Sequence, residues 1–199
     1  MVPSVKRRNR GSFWAVQSRP ISDWVSATWQ FLLPLWLSVL KSHSKYRRTL
    51  ISLLLADLSL TRLCRTSEIF GAEKLIVADA GVVNDQNFKA LSLSSENWIT
   101  IEQVRVTELL DYLKSKRKEG YTIVAAEQTT NSVPFASFRF PPKSVILLGD
   151  EKEGVPVEYI RCVDESVEIA QVGQTRSLNV HVTGALFIHK YAENNYLTS

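Results

Sequence analysis

The chain has 199 residues, of which 45% are hydrophobic and 22% are charged. These values are typical of one globular domain that can bury a sizeable core. The formal net charge of +4 is unevenly distributed, because residues 1–48 hold nine Lys or Arg and one acidic residue. Residues 49–199 therefore carry a net negative charge, and their composition excludes a broadly basic nucleic-acid binder. The two cysteines, Cys64 and Cys162, and the three histidines follow no disulfide or zinc-ligand pattern, so we predict no metal.

Residues 1–60 differ in character from the remainder, and we predict a boundary between this segment and a domain over residues 61–199. The segment contains a basic run at Lys6–Arg10 and an uncharged stretch over residues 24–40. That stretch is at the short end for a membrane span, and Pro34 weakens the interpretation further. A signal anchor, an arginine-rich transit segment, an amphipathic helix packed on a partner and a poorly ordered stretch all fit the pattern. The helix is slightly favoured and membrane association is disfavoured. We expect a cytoplasmic or nuclear protein, with organellar targeting as the alternative.

From about Leu63 the sequence alternates between strand-like and helix-like segments. Residues 107–118 have the apolar spacing of a helix with Thr107 as its N-cap and Gly120 as its stop, and residues 177–191 form a closing helix. Near-continuous apolar runs are typical of parallel strands that are buried on both faces. The alternation predicts an α/β fold with a doubly wound sheet. Its predicted strands cover residues 73–78, 98–101, 121–126 and 144–148, with 51–55 as a candidate first strand.

Two segments with candidate functional residues lie where a strand gives way to a loop or helix, the edge at which open α/β sheets bind ligands. In the first, residues 65–72, Arg65 is on its own more simply explained as a surface partner of Glu68. In the second, residues 147–156, a buried strand ends at Gly149, where a backbone can approach a ligand closely. The acidic loop that follows is equally compatible with a solvated turn.

A third segment, residues 169–182, leads into the closing helix. Ser177 is predicted to cap this helix and to leave backbone N–H groups facing a ligand. Asn179 is placed in the first turn, pointing toward the same opening. His181 is interpreted as a helix-face histidine that is satisfied by its neighbours rather than as a catalytic residue.

Taken together and in this order, the three segments resemble the signature motifs of the SpoU/TrmH class within the SPOUT superfamily. The resemblance covers about residues 63–191. The turn at 127–129 and the run at 176–182 resemble the eukaryotic tRNA guanosine ribose methyltransferases that act on the D loop, the TAR-RNA-binding-protein-like members. The matching motifs read Arg65-Thr66-Ser67-Glu68, then Gly149-Asp150-Glu151-Lys152-Glu153-Gly154, then Ser177-Leu178-Asn179-Val180.

The resemblance implies methylation of a ribose 2′-oxygen of RNA, most simply of tRNA, with S-adenosyl-L-methionine as the methyl donor. It also implies a homodimer and a sheet whose C-terminal part forms a trefoil knot. Arg65 is expected to act on the 2′-hydroxyl, while Glu151 and Asn179 hold the site. The residues expected to bind the cofactor are Glu127, Gly149, Ile169, Ser177 and Leu178.

The sequence departs from the family pattern at three positions. Ser59 stands where the family has Asn, Thr61 where it has Gly, and Asp150 where it has Asn. Little resemblance extends upstream of Leu63. These departures motivate an alternative, a noncatalytic knotted paralogue or truncated form that binds RNA or cofactor without turnover.

Overall fold

A computed structural model describes residues 49–53, 58–150, 153–175 and 177–197. Within them seven strands form one parallel sheet in the order β3-β2-β1-β6-β4-β7-β5. The predicted signature residue Glu151 and the uncharged stretch 24–40 lie outside the described residues. The strands are β1 (Thr49–Leu53), β2 (Lys74–Val77), β3 (Thr100–Gln103), β4 (Thr122–Ala126), β5 (Val133–Pro134), β6 (Ser144–Leu148) and β7 (Glu165–Glu168).

Within the described residues, five α-helices accompany the sheet, and both faces of the sheet are buried. Along β6 the side chains alternate: Ile146 and Leu148 pack into one hydrophobic core, and Val145 and Leu147 pack into the other. All four are 0–1% exposed, and burial of each contributes about 1.5–3 kcal/mol. This explains why the β6 sequence is apolar at successive positions. The helices are α1 (Leu58–Ile69), α2 (Gln86–Ser92), α3 (Leu109–Lys118), α4 (Val157–Ile160) and α5 (Val180–Ala192).

The two cores hold different helices. The first contains Leu63 and Cys64 of α1, Phe88 of α2, and Phe187 and Tyr191 of α5. The second contains side chains of α3 and α4, namely Leu109, Leu113 and Tyr159. The described part of the chain is therefore a doubly covered α/β sheet, as predicted. Short 3₁₀ helices cover Ala80–Asn84, Ser95–Asn97 and Val106–Glu108, and a π-helical turn covers Glu193–Leu197.

The strand register shows which residues share the carboxyl edge of the sheet. Strand β6 pairs in parallel with β4, Ser144 lying opposite Thr122, and β4 pairs in parallel with β7. Because the carboxyl ends of parallel strands share one edge, the residues that follow β4, β6 and β7 come together there.

Several predicted boundaries are corrected. The strand predicted over 98–101 is β3 at Thr100–Gln103, because Trp98 still belongs to the turn after Ser95–Asn97. Thr107 does not cap α3; it lies inside the 3₁₀ turn that precedes the helix. Gly120 does follow the end of α3, with a φ of 84° that suits glycine.

The N-terminal limit of the fold lies before residue 61. Strand β1 is a central strand, paired in parallel with both β2 and β6. It overlaps the candidate strand predicted over 51–55, and α1 crosses the predicted boundary. Among the described residues, none of the helices is long and apolar enough to cross a membrane.

Candidate active site

A cavity of about 570 Å³ opens at the carboxyl edge of the sheet. Its floor is apolar and is formed by Leu148, Val167 and Phe187. The residues that sequence analysis assigned to cofactor binding all line it, although they are spread over more than fifty positions of the chain. They are Glu127 after β4, Gly149 after β6, Ile169 after β7, and Ser177 and Leu178 before α5.

Gly149 is required by a contact between two backbone segments. A Cβ atom on Gly149 would lie 2.6 Å from the Val155 nitrogen and 2.7 Å from the Gly154 oxygen. Asp150 and Gly154 exchange two backbone hydrogen bonds of 3.0 and 2.9 Å, which close the loop. Sequence analysis explained this glycine by the approach of a ligand; the structure adds that the loop's own backbone occupies the place of a side chain.

Glu127 joins the end of β4 to this loop. Its Oε2 accepts a 2.8 Å hydrogen bond from the Val155 N–H, and its Oε1 accepts one from the Gln128 N–H. Gly154, at a φ of 70°, allows the carboxylate to approach, because a Cβ there would lie 2.5 Å from Oε2. Glu127 therefore shapes the cavity wall through backbone contacts.

Asp150 braces the same loop. Its Oδ1 accepts a 3.0 Å hydrogen bond from the Glu153 N–H. An asparagine side chain has the same oxygen, so the departure from the family pattern at this position preserves the acceptor.

Asn179 is the N-cap of α5, and this corrects the prediction that Ser177 caps the helix. The Asn179 Oδ1 accepts hydrogen bonds from the His181 N–H at 3.0 Å and the Val182 N–H at 3.4 Å. Ser177 instead lines the cavity two residues earlier. Asn179 itself is outside the lining, although its neighbours Leu178 and Val180 are part of it.

Arg65 lies on the exposed side of α1 and does not line the cavity. Within the described residues its side chain forms no ion pair, so the alternative explanation of Arg65 as a surface partner of Glu68 is not supported. The next residue, Thr66, contacts α5: its Oγ1 lies 3.4 Å from the His181 Nε2. The helix that carries Arg65 is thus joined to the first turn of the helix that Asn179 caps.

His181 is half-buried and its pKa is lowered, first by burial and second by the positive charge of Arg62. Its contact with Thr66 agrees with the interpretation as a histidine satisfied by its neighbours. Glu168 is a lining residue that sequence analysis missed, and its Oε2 accepts a 2.9 Å hydrogen bond from Ser132 Oγ. Strand β7 ends at Glu168, so a prediction of this strand would have placed Glu168 at the carboxyl edge of the sheet.

The cavity walls are acidic. Four lining residues are carboxylates, and the described lining holds no Lys, Arg or His. Such a wall favours a ligand with positive charge. The residues that the structure describes contain no group of three or more His, Cys, Asp or Glu arranged to hold a metal ion. The four carboxylates are Glu127, Asp150, Glu153 and Glu168.

Comparison with known proteins identifies the family to which this chain is similar. Residues 60–189 match the SpoU rRNA Methylase family. The chain is 48% identical over 135 residues to the mouse tRNA (guanosine(18)-2′-O)-methyltransferase TARBP1, an overlap of 68% of this chain and 8% of that protein. It is 38% identical over 130 residues to the Saccharomyces cerevisiae tRNA (guanosine(18)-2′-O)-methyltransferase, an overlap of 65% of this chain and 9% of that protein.

The fold is also that of a solved methyltransferase. The AdoMet-bound rRNA methyltransferase from Sinorhizobium meliloti superposes with a TM-score of 0.64 at 24% identity, over 73% of this chain and 56% of that one. The chain thus spans less than a tenth of the length of its mouse and yeast relatives.

Proposed function

Because the chain belongs to the SpoU rRNA Methylase family, we propose that it transfers a methyl group from S-adenosylmethionine to a ribose 2′-oxygen of RNA. We further propose that the RNA is tRNA and that the nucleotide is a guanosine of the D loop. The names of the mouse and yeast relatives support this choice.

The observation that carries the proposal is the convergence of the five predicted cofactor residues on one acidic cavity. S-adenosylmethionine bears a sulfonium and an ammonium, which suit walls of carboxylates, and an adenine ring, which suits an apolar floor. The residues present therefore fit this cofactor. Gly149, Ile169 and Leu178 would hold it largely through backbone groups, with Glu127 and Ser177 beside it.

When bound, the cofactor supplies the reactive methyl group. The protein's task is to align the 2′-oxygen with that methyl, and the hydroxyl proton passes to solvent as the methyl is transferred. A guanidinium has donors and no acceptor, so Arg65 cannot take up the proton, but its forked donors suit a ribose oxygen and a phosphate together. We therefore assign Arg65 to orienting the ribose, with Glu151 as an acceptor and Asn179 as the cap that holds the α5 turn in place.

We also propose that the protein is a homodimer through α5. Val182 and Leu186 lie one turn apart on α5 and are 43% and 40% exposed, so they form an apolar patch. Light scattering of Leu186→Asp should show monomer where the parent shows dimer, while Leu93→Asp, at an exposed leucine elsewhere, should not. A monomeric parent at micromolar concentration would contradict the dimer.

The experiment on function combines a calorimetric titration of S-adenosylmethionine with transfer of labelled methyl to an unmodified tRNA transcript. The matched control transcript has 2′-deoxyguanosine at the D-loop guanosine, and it should accept no methyl. Binding without transfer would favour the noncatalytic alternative, which the departures at Ser59 and Thr61 motivate. Absence of cofactor binding would overturn methyl transfer and would leave only the RNA-binding form of the alternative.

A further inference from the structure

We infer that His181 is a positioning residue that fixes helix α1, and with it Arg65, against the helix that forms one wall of the cofactor cavity. This inference rests on the proposed methyl transfer. It assigns a role to a residue that sequence analysis treated as merely satisfied.

The first turns of α5 face two ways. Val180, Thr183 and Phe187 line the cavity. His181 and Gly184, on another side of the same helix, face α1: His181 meets Thr66, and a Cβ on Gly184 would lie 2.7 Å from the Leu63 Cδ1. A shift of α5 relative to α1 would therefore change the distance between the cavity and Arg65.

A chain of polar contacts links the two helices at this point. The Thr66 hydroxyl donates to the Arg62 carbonyl at 3.2 Å, which leaves its oxygen to accept from the His181 Nε2–H at 3.4 Å. The backbone N–H of His181 in turn donates to the Asn179 Oδ1. The chain thus runs from the cap of α5 to the turn of α1 that contains Arg65.

The charge state of the imidazole suits this arrangement. Burial and the nearby Arg62 both lower the pKa of His181, so the ring is neutral at pH 7 and presents one N–H. A neutral ring lets α1 approach without repulsion between an imidazolium and the Arg62 guanidinium.

The effect of His181 on stability and its effect on the position of Arg65 can be tested separately. This is possible because the packing of Leu63 against Gly184 also holds α1 and α5 together. Loss of the His181 contact should leave the fold intact but let the Arg65 turn move. Misplacement of a reacting group by about 1 Å can cost as much as about 100-fold in rate. The effect should therefore fall on kcat for methyl transfer and not on the dissociation constant of S-adenosylmethionine.

The test compares His181→Leu with His181→Gln, whose amide nitrogen lies where Nε2 does, and Thr66→Val with Thr66→Ser. We expect kcat to fall by about tenfold or more in His181→Leu and Thr66→Val, and the Gln and Ser variants to keep most of it. The double variant His181→Leu/Thr66→Val should be no slower than either single variant, because both remove one contact. His189→Gln removes the ring contact of His189 with Phe70, directly after α1, without touching Thr66, and is the control that should keep the parental kcat.

Each outcome decides the matter. A parental kcat in His181→Leu, additive losses in the double variant, or a loss seen only as weaker cofactor binding would overturn the positioning role. If His181→Leu does not fold, Thr66→Val and its Ser counterpart carry the same test from α1. An inactive parent would overturn the proposed function, and this inference with it, whereas an active parent with indifferent variants would overturn the inference alone.

Discussion

The acidic cavity at the carboxyl edge of the sheet and the exposed side of α1 carry opposite charges, although α5 contacts both. The cavity walls contain four carboxylates, and Glu127 and Asp150 hold the walls through backbone contacts. On α1, Arg62 and Arg65 lie one turn apart, are exposed, and form no ion pair within the described part of the chain. One region therefore favours a cationic small molecule and the other favours an anionic polymer such as RNA. The contrast teaches that a net negative charge outside residues 1–48 is compatible with a local pair of exposed arginines whose charge favours a phosphate group.

The largest expected effect is on the cavity side, at Gly149. Gly149→Val should abolish S-adenosylmethionine binding and lower the free energy of unfolding by about 3 kcal/mol, because the added side chain collides with the backbone at Gly154 and Val155. Calorimetry and urea unfolding measure the two effects. Gly120→Asn is the control, since position 120 lies outside the cavity lining, a side chain there has open space, and asparagine tolerates its φ of 84°. Parental cofactor affinity in Gly149→Val would remove this loop from the site.

The second prediction concerns the α1 side. Arg65→Lys should lower methyl transfer by about 100-fold while cofactor affinity and melting temperature stay parental, because an ammonium lacks the planar fork of donors. Arg139→Lys, at another exposed arginine, should have no effect. Comparable transfer rates for Arg65→Lys and the parent would sink the assignment of Arg65 to the reaction.

A smaller effect tests whether the wall charge attracts the cofactor. Glu153 is exposed and lines the cavity. Glu153→Gln should weaken S-adenosylmethionine binding about threefold to fivefold at low salt and less at high salt, since a screened charge pair is worth about 1 kcal/mol. Glu158→Gln on α4 preserves the same change in net charge away from the cavity and should not alter the affinity. Equal changes in S-adenosylmethionine affinity in Glu153→Gln and Glu158→Gln would show that the affinity depends only on the net charge of the protein.

The parts of this fold that sequence patterns predicted are those with a strong local signal. Residues 144–148 form β6 with the predicted bounds, because every side chain of that strand is buried and apolar character runs through it. Strand β7 was missed because Glu165–Glu168 contributes one fully buried side chain, Val167, between half-buried polar ones. The trefoil knot that the family resemblance implies stays a prediction.

In the candidate site, too, sequence patterns predicted some features and missed others. The order of the motifs and the parallel sheet were enough to place the residues predicted to bind the cofactor around one cavity, while their role stays a prediction. The cap of α5 was misplaced from Asn179 to Ser177, since both residue types cap helices and the choice depends on where the backbone turns. The contact of Thr66 with His181 joins residues 115 positions apart and leaves no local pattern.

The smallest expected effect is on the pH dependence of stability, and it tests how strongly Arg62 of α1 acts on His181 of α5. Burial and Arg62 lower the pKa of His181 in the folded protein below its ordinary value of 6.5. As the pH falls below about 6.5, the unfolded chain therefore takes up this proton before the folded protein does, and the folded state loses stability. Above that pH the ring is neutral in both states and contributes no difference. Urea unfolding of the parent and of His181→Gln at about pH 7.5 and about pH 5.5 isolates the contribution, because the other titrating groups are common to both proteins. We expect the parent to lose more of its free energy of unfolding than the variant over this interval, and Arg62→Gln to reduce that difference. Equal losses in the parent and in His181→Gln would show that folding does not change the pKa of His181. The positive charge on α1 would then have no effect on this residue of α5.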